Sequence, residues 1–299
     1  MNRISVIGLG NMGGNMASVL MEKGCEVYVL DVDSQKQSRL VSRGGIPLSS
    51  AIEAVEKADT VILSLPNDDI MGAVMGELLA HDLTGKTIID TTSAKYTTAL
   101  EIAERVKAKN GQFLDAPVTG GEKGAREGTL TFMVGGDQAA LEQSLHILQS
   151  LGTRIVHIGP SGHGQIAKMV NQEIMAAIYV SVTEAFAFAA ERGVDIERVY
   201  DAVENGGAKS QLLSAMRNTI LSGEPVLNHN LAIHGKDVDY VMDEANRLKS
   251  FMPVNASVQQ VMNMARQKGL SDHWSGSIFV MWEELIGKKL NSAITGGTQ

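Results

Sequence analysis

Three stretches of this chain carry residue types whose spacing could do chemistry. In GLGNMG, Gly8, Gly10 and Gly13 follow a β-branched run and open a helix-like one, with Asn11 and Met12 between them. Each glycine has its own task in a dinucleotide-binding turn: the first turns the chain, the second lets a pyrophosphate approach the backbone, and the third lets helix pack on strand. The helix start then offers N–H groups and the positive dipole end to phosphates. Asp31 lies 23 residues after Gly8, at the end of the second strand-like run. That is the distance at which an acid meets the ribose hydroxyls. A carboxylate there would repel an NADP 2′-phosphate by roughly 1–4 kcal/mol per charge pair at ~4 Å. Val32 and Asp33 follow, not arginine, so NAD is favoured over NADP.

Thr119, Gly120 and Gly121 combine a hydroxyl with closely approachable backbone N–H groups, which suits a small carboxylate and equally suits a plain turn after a strand. Lys168 stands on the first turns of an apolar helix pattern, with Asn171 and Gln172 on its face at i+3 and i+4. A lone lysine is more often a solvated side chain, and Lys123 and Arg126 read that way. Lys236 followed by Asp237 reads equally as a surface ion pair, worth little in stability. The seven histidines, His229 and His234 among them, form no ligand set with metal spacing, so no metal is expected. No serine sits in a nucleophile elbow.

The elements that must position these residues change character along the chain. The runs Ile4–Gly8, Val27–Val32, Thr60–Leu65, Thr87–Asp90, Gln112–Leu114, Leu130–Val134 and Ile155–Ile158 alternate with helical patterns. Continuous apolar runs such as VILSL indicate strands covered on both faces, as in a parallel sheet. Ser50-x-x-Glu53 and Thr98-x-x-Glu101 read as capping boxes. From GQIAKMVNQEIMAAIYVSVTEAFAFAAERG onward the pattern is helical, and this first segment would run roughly 42 Å at ~1.5 Å per residue. Being apolar almost all round, it is expected to be buried between domains or subunits. The reading is an α/β Rossmann-type doubly wound domain over residues 1–162, a long connecting helix over 163–192, and an all-α C-terminal domain over 193–299. SAITGGTQ at the end is polar and expected to fray.

Composition excludes several classes. With 26 Lys+Arg against 34 Asp+Glu the net charge is −8, and no basic block exists to displace counterions from a polyanion. Nucleic acid and anionic membranes are therefore not expected partners. The apolar stretch from Ile174 to Ala190 is interrupted by Thr183 and Glu184, which argues against a membrane span. The single cysteine, Cys25, excludes a disulfide framework. A cytoplasmic, soluble protein is expected. The Met-rich stretch around Met252, Met262 and Met264 reads as core packing.

Four blocks spread over most of the chain resemble the β-hydroxyacid dehydrogenases, which include 3-hydroxyisobutyrate dehydrogenases and tartronate semialdehyde reductases. GLGNMGGNMASVL resembles their cofactor loop, including Asn11 and Met12. DAPVTGG (Asp115 to Gly121) resembles their substrate segment, GHGQIAKMVNQ (Gly162 to Gln172) their catalytic helix, and GKDVDYVMDEA (Gly235 to Ala245) a cofactor-contacting helix. The resemblance implies that Lys168 is the catalytic acid–base, with Asn171 beside it. It implies that Thr119, Gly120 and Gly121 bind the substrate carboxylate, that Leu65, Pro66 and Ser93 line the nicotinamide half of the cofactor, and that Lys236 closes over it. It also implies a homodimer or homotetramer. Thr119 stands where serine is usual and keeps the hydroxyl; Tyr96 replaces a frequent proline, so the loop after Ser93 is expected to run differently. Gln172 replaces the second of two asparagines, and Val19 a frequent asparagine.

The expected activity is NAD(P)-dependent interconversion of a small 3-hydroxy acid and its semialdehyde. Two alternatives stand beside it. An imine reductase or 6-phosphogluconate dehydrogenase-like relative would lack the lysine or carry a histidine within KMVNQ. A non-catalytic dinucleotide-binding module would commonly lose the lysine that this chain retains.

Overall fold

A computed structural model describes residues 2–227 and 230–291. The chain divides into two compact units, Met1–Lys168 and Met169–Gln299. Because the division falls inside one long helix, that helix contributes residues to both.

The first unit is built on a nine-stranded sheet. Its strands are β1 (Arg3–Ile7), β2 (Glu26–Leu30), β3 (Ile46–Pro47), β4 (Thr60–Leu63), β5 (Thr87–Asp90), β6 (Gln112–Asp115), β7 (Val118–Thr119), β8 (Leu130–Gly136) and β9 (Gly152–Gly159). The order is β3-β2-β1-β4-β5-β6-β8-β7, with β9 added beside β8. Strands β1 to β6 pair in parallel, whereas β8 runs antiparallel to both β6 and β7. The expectation of a parallel sheet thus holds for its larger part, and the antiparallel strand is an addition at one side.

Side chains explain why both faces are covered. From β1, Ile4 and Val6 enter one core cluster and Ile7 the other. The first cluster receives Met16 and Leu20 from α1 (Asn11–Glu22), Ala125 from α6 (Gly121–Glu127) and Leu148 from α7 (Gln138–Leu151). The second receives Val55 from α3 (Ala51–Lys57), Met71 and Met75 from α4 (Asp68–Leu78), and Val106 from α5 (Tyr96–Ala108). Strands buried on two faces read as continuous apolar runs, which is why TVIL and TIID have no alternation.

Helix starts depart from the sequence expectation in two places. Ser50 caps α3 through the Glu53 N–H, but the Glu53 carboxylate returns to Ser49 and not to Ser50. The helix expected to start at Thr98 begins at Tyr96 instead; the residue before it, Lys95, donates its N–H to the Asp68 carboxylate, distant in sequence, at 3.1 Å. Tyr96 packs its ring against Gly162, where a Cβ would come within 2.7 Å of it.

The second unit takes most of α8 (His163–Glu191), then α9 (Ile196–Val203), α10 (Gln211–Ser222), α11 (Asn230–Leu248), α12 (Pro253–Gln267) and α13 (Phe279–Ile286). Its core joins Tyr179 and Phe186 of α8 to Tyr200, Met216, Met262 and Phe279. The Phe186 and Tyr200 rings stack at 4.0 Å. Met262 is fully buried and Met264 packs partly against the same core, as the core-packing reading requires, whereas Met252 is half-buried outside that cluster. By length and mean hydropathy (1.4) α8 could cross a bilayer, but a core helix passes the same test, and α8 buries Tyr179, Thr183, Phe186 and Ala190 within its own unit. Val170, Ile174 and Phe188 remain exposed on it, so its burial is one-sided rather than all round. His229 and the SAITGGTQ tail lie outside the described residues.

Candidate active site

The strand order reverses at β1, and in open α/β sheets ligands bind at the carboxyl ends of the strands flanking that reversal. Most of the candidate residues fall there. Gly8 adopts φ +91°, and a Cβ on it would lie 2.3 Å from the Ser64 carbonyl oxygen at the end of β4. A Cβ on Gly13 would lie 1.9 Å from the Gly8 oxygen. These two positions require glycine for the loop to close at all. Gly10 differs: its φ of −66° suits any residue, and a Cβ there would meet nothing within 4 Å. Open space over Gly10, at a helix N-terminus with no side-chain cap and no acid in the first turn, fits a pyrophosphate. Asn11 is exposed in that first turn and Met12 packs partly on the core.

Asp31 directly follows β2 and accepts N–H groups from Leu9 at 2.6 Å and Asp33 at 2.8 Å. Its carboxylate is therefore fixed beside the glycine loop, where a ribose would lie. Leu65 packs close to Gly8, and its N–H donates to the Thr92 hydroxyl at 3.1 Å. Pro66 is exposed at the same rim. Ser93 is half-buried in the loop after β5. The geometry thus joins the ends of β1, β4 and β5 by direct contacts.

Lys168 reaches the next strand end. Its Nζ donates to the Val118 carbonyl at 2.9 Å, immediately before Thr119, Gly120 and Gly121. Gly120 and Gly121 have φ of +122° and +64°, and the short helix they open has no side-chain cap. The lysine and the expected carboxylate segment are neighbours in space although about 50 residues apart in sequence.

Two buried carboxylates stand behind this rim. Asp90 and Asp115 pair across β5 and β6, and both are fully buried. Burial raises Asp90 to about 7, with the charges of Asp115 and Asp68 adding to the rise. Burial also raises Asp115 to about 6, against the N–H groups of Gly162 and Gln165 that favour its charge. A carboxyl raised in the folded state stabilises it fully below the unfolded value near 4, and that stability is lost as pH rises through about 6 to 7. The melting temperature is therefore expected to fall as pH rises from about 4 to about 7 and to level off above that. Asp90→Asn should remove roughly 1–4 kcal/mol of that dependence and melt above wild type at pH 8. Differential scanning calorimetry across this range checks it; parallel melting curves for the two proteins would contradict it.

The second unit holds the other two candidates. Asn171 buries its side-chain oxygen without a hydrogen-bond partner among the described residues. Lys236 lies 3.0 Å from the Asp237 carboxylate and 4.5 Å over the Tyr240 ring. Asp237 also accepts the Gln172 amide at 2.6 Å, and His234 bonds the Gln172 carbonyl at 3.0 Å. The glutamine that replaces a common asparagine is thus clamped to α11 at two points. Sequence reading assigned no role to Thr92, Asp115 or Gln165, although Asp115 and Gln165 lie within two of the resembling blocks.

Comparison with known proteins points to one family. A model of the NAD-binding domain of 6-phosphogluconate dehydrogenase matches residues 3–159. A model of the NAD-binding region of NADP-dependent 3-hydroxyisobutyrate dehydrogenase matches residues 162–278. The chain is 34% identical to 2-hydroxy-3-oxopropionate reductase of Escherichia coli (strain K12), over 91% of this chain and 94% of that one. It is 31% identical to the mitochondrial 3-hydroxyisobutyrate dehydrogenase of Drosophila melanogaster, over 90% of this chain and 86% of that one. The Mycobacterium tuberculosis 3-hydroxyisobutyrate dehydrogenase solved with L-serine superposes with a TM-score of 0.85 at 27% identity, covering 94% of this chain and 99% of that one. Fold and site define a nicotinamide-dinucleotide-dependent oxidoreductase. The chain belongs to the β-hydroxyacid dehydrogenase family.

Proposed function

We propose that this protein oxidises the primary alcohol of a small 3-hydroxy acid to the semialdehyde, and catalyses the reverse reduction, with Lys168 as acid–base and NAD as preferred cofactor. The observation that carries the reading is the 2.9 Å bond from the Lys168 ammonium to the carbonyl just before Thr119. It sets a proton-transfer group beside a hydroxyl and two glycines suited to a carboxylate.

When bound, the nicotinamide accepts or donates hydride at the carbinol carbon. In oxidation, neutral Lys168 takes the hydroxyl proton as the C–H electron pair leaves; in reduction, protonated Lys168 hydrogen-bonds the carbonyl oxygen and returns that proton. Thr119, Gly120 and Gly121 hold the substrate carboxylate, and Asn171 supplies a further polar contact to the substrate or to the lysine. Gly8, Gly10 and Gly13, with Asn11 and Met12, cradle the pyrophosphate; Leu65, Pro66 and Ser93 line the nicotinamide half, and Lys236 closes over the cofactor. The exposed Val170, Ile174 and Phe188 support self-association, as a homodimer or homotetramer. The acidic charge and single cysteine support a soluble cytoplasmic enzyme.

A substrate panel tests the reading: NAD and NADP reduction with 3-hydroxyisobutyrate, glycerate, 3-hydroxypropionate and 4-hydroxybutyrate. Turnover of at least one by wild type is expected. Cofactor binding without turnover on any of them points instead to a non-catalytic module.

Cofactor choice gives a separate prediction. Asp31→Ala removes a fixed carboxylate from the ribose site and with it a charge repulsion of roughly 1–4 kcal/mol against a 2′-phosphate. The ratio of kcat/KM for NAD over NADP should fall by tenfold or more. An unchanged or larger ratio would contradict the ribose assignment.

A further inference from the structure

Gln165 stands one helical turn before Lys168 and is only 1% exposed. Its amide is a fork closed on both tines. Nε2 donates to the Thr92 carbonyl at 2.8 Å, and Oε1 accepts the Ala94 N–H at 3.0 Å. Thr92 and Ala94 flank Ser93, so the fork grips the backbone on either side of that residue. The Thr92 hydroxyl in turn accepts the Leu65 N–H, which ties the β4 loop to the same point.

The backbone of Gln165 faces the opposite way. Its N–H donates to Asp115 Oδ2 at 3.0 Å, and the Gly162 N–H donates to Asp115 Oδ1 at 2.7 Å. Asp115 therefore caps the start of α8 from the end of β6. There is no slack around it: a Cβ on Gly135 or Gly164 would come within 2.5 Å and 2.8 Å of its carboxylate. Three residues beyond Asp115, Val118 receives the Lys168 ammonium. A ring results, running from the Ser93 loop through Gln165 and one turn of helix to Lys168, on to Val118 and Asp115, and back to Gln165.

We propose that Gln165 is a positioning residue: its amide fixes the distance between the Ser93 loop and Lys168, and so between the hydride acceptor and the proton acceptor. The proposal rests on the acid–base role of Lys168 given above. The chemistry explains the residue type. A primary amide presents one donor and one acceptor side by side at any ordinary pH, whereas a carboxyl does so only while protonated. Methionine and leucine fill similar volume and supply neither group. Either apolar change leaves buried backbone groups without partners, and the loop and helix are free to shift relative to each other. A misplacement of about 1 Å between reacting groups can lower a rate about 100-fold.

The test is a double-mutant cycle on the full-length enzyme, using the best substrate of the panel and NAD. Gln165→Met and Gln165→Leu are expected to lower kcat by about 10- to 100-fold, with KM for the substrate and Kd for the cofactor moving less than about threefold. The primary deuterium isotope effect on kcat should rise as hydride transfer becomes limiting. In a Lys168→Ala background the same changes should cost less than twofold, because residues acting as one unit are not additive. Circular dichroism and thermal melting establish folding. If Gln165→Met does not fold, Gln165→Leu, which differs in shape but also lacks both groups, carries the cycle. The proposal is overturned if folded variants keep kcat within twofold of wild type, or if their losses are undiminished without Lys168. Failure of the underlying role looks different: Lys168→Ala alone would then turn over like wild type.

Discussion

Replacing Lys168 with alanine should lower kcat by about 10²- to 10⁴-fold, the range typical of a lost general acid–base. The dissociation constant for NAD should change little. The ammonium contacts the Val118 carbonyl, next to Thr119, and not the glycine loop, so binding energy for the dinucleotide should be left in place. Small primary amines added to the assay are expected to restore part of the rate, as the deleted side chain leaves room for one. Steady-state kinetics with and without such an amine, alongside cofactor binding by fluorescence, separate loss of chemistry from loss of binding. A variant that loses both equally would point to a folding defect.

The second large effect comes from contrasting two glycines of one loop. In Gly13→Ala the new Cβ would lie 1.9 Å from a backbone oxygen and 2.9 Å from the Ser64 Cβ. Backbone cannot step aside as the tip of a side chain can, so helix and strand must separate. Overpacking of this kind costs about 1–3 kcal/mol or more, and the melting temperature should drop by several degrees along with NAD affinity. In Gly10→Ala nothing in the protein is touched, and φ of −66° is comfortable for alanine. Stability should stay within about 0.5 kcal/mol of wild type. Affinity for NAD should nonetheless fall tenfold or more, about 1.4 kcal/mol, because the methyl occupies the approach of the pyrophosphate. Isothermal titration and thermal melting of both variants test the pair. Equal NAD affinity for Gly10→Ala and wild type would remove the phosphate from this loop.

How much of this was legible in the sequence follows from the range of the interactions. The β1–α1–β2 unit is written locally: three glycines, an acid, and two apolar runs set its conformation within about 30 residues. The same holds for α8, whose bounds, His163–Glu191, come close to the helical pattern. Strands β3 and β7 have two residues each, too short to show any periodicity, and exist only through the partners beside them. The direction of β8 is likewise a property of its pairing with β6 and β7, because an apolar run reads the same either way. The residue before α5, Lys95, is held by Asp68, which lies far upstream.

The site divides similarly. Gly8 and Gly13 form the tight strand-to-helix turn, Asp31 directly follows β2, and Lys168 stands on α8 with Thr119 next to its acceptor. Gln165 carried no signal of its own, since its partners Thr92 and Ala94 are 73 and 71 residues away. Asp115 was visible only as the first letter of a block. A buried carboxylate at a strand end, two glycines against it and a helix start above it make a pattern only once the strands are in register. Local chemistry is readable from sequence; the residues that hold it in place are chosen by neighbours far along the chain.

The most direct measurement is a ternary crystal structure with NADH and a non-reacting analogue of the hydroxy acid. The Lys168 Nζ is expected about 2.6–3.2 Å from the oxygen that corresponds to the reacting hydroxyl, with the carbon bearing it about 3–3.5 Å from nicotinamide C4. An ammonium facing solvent, with another side chain bonded to that oxygen, would contradict the account.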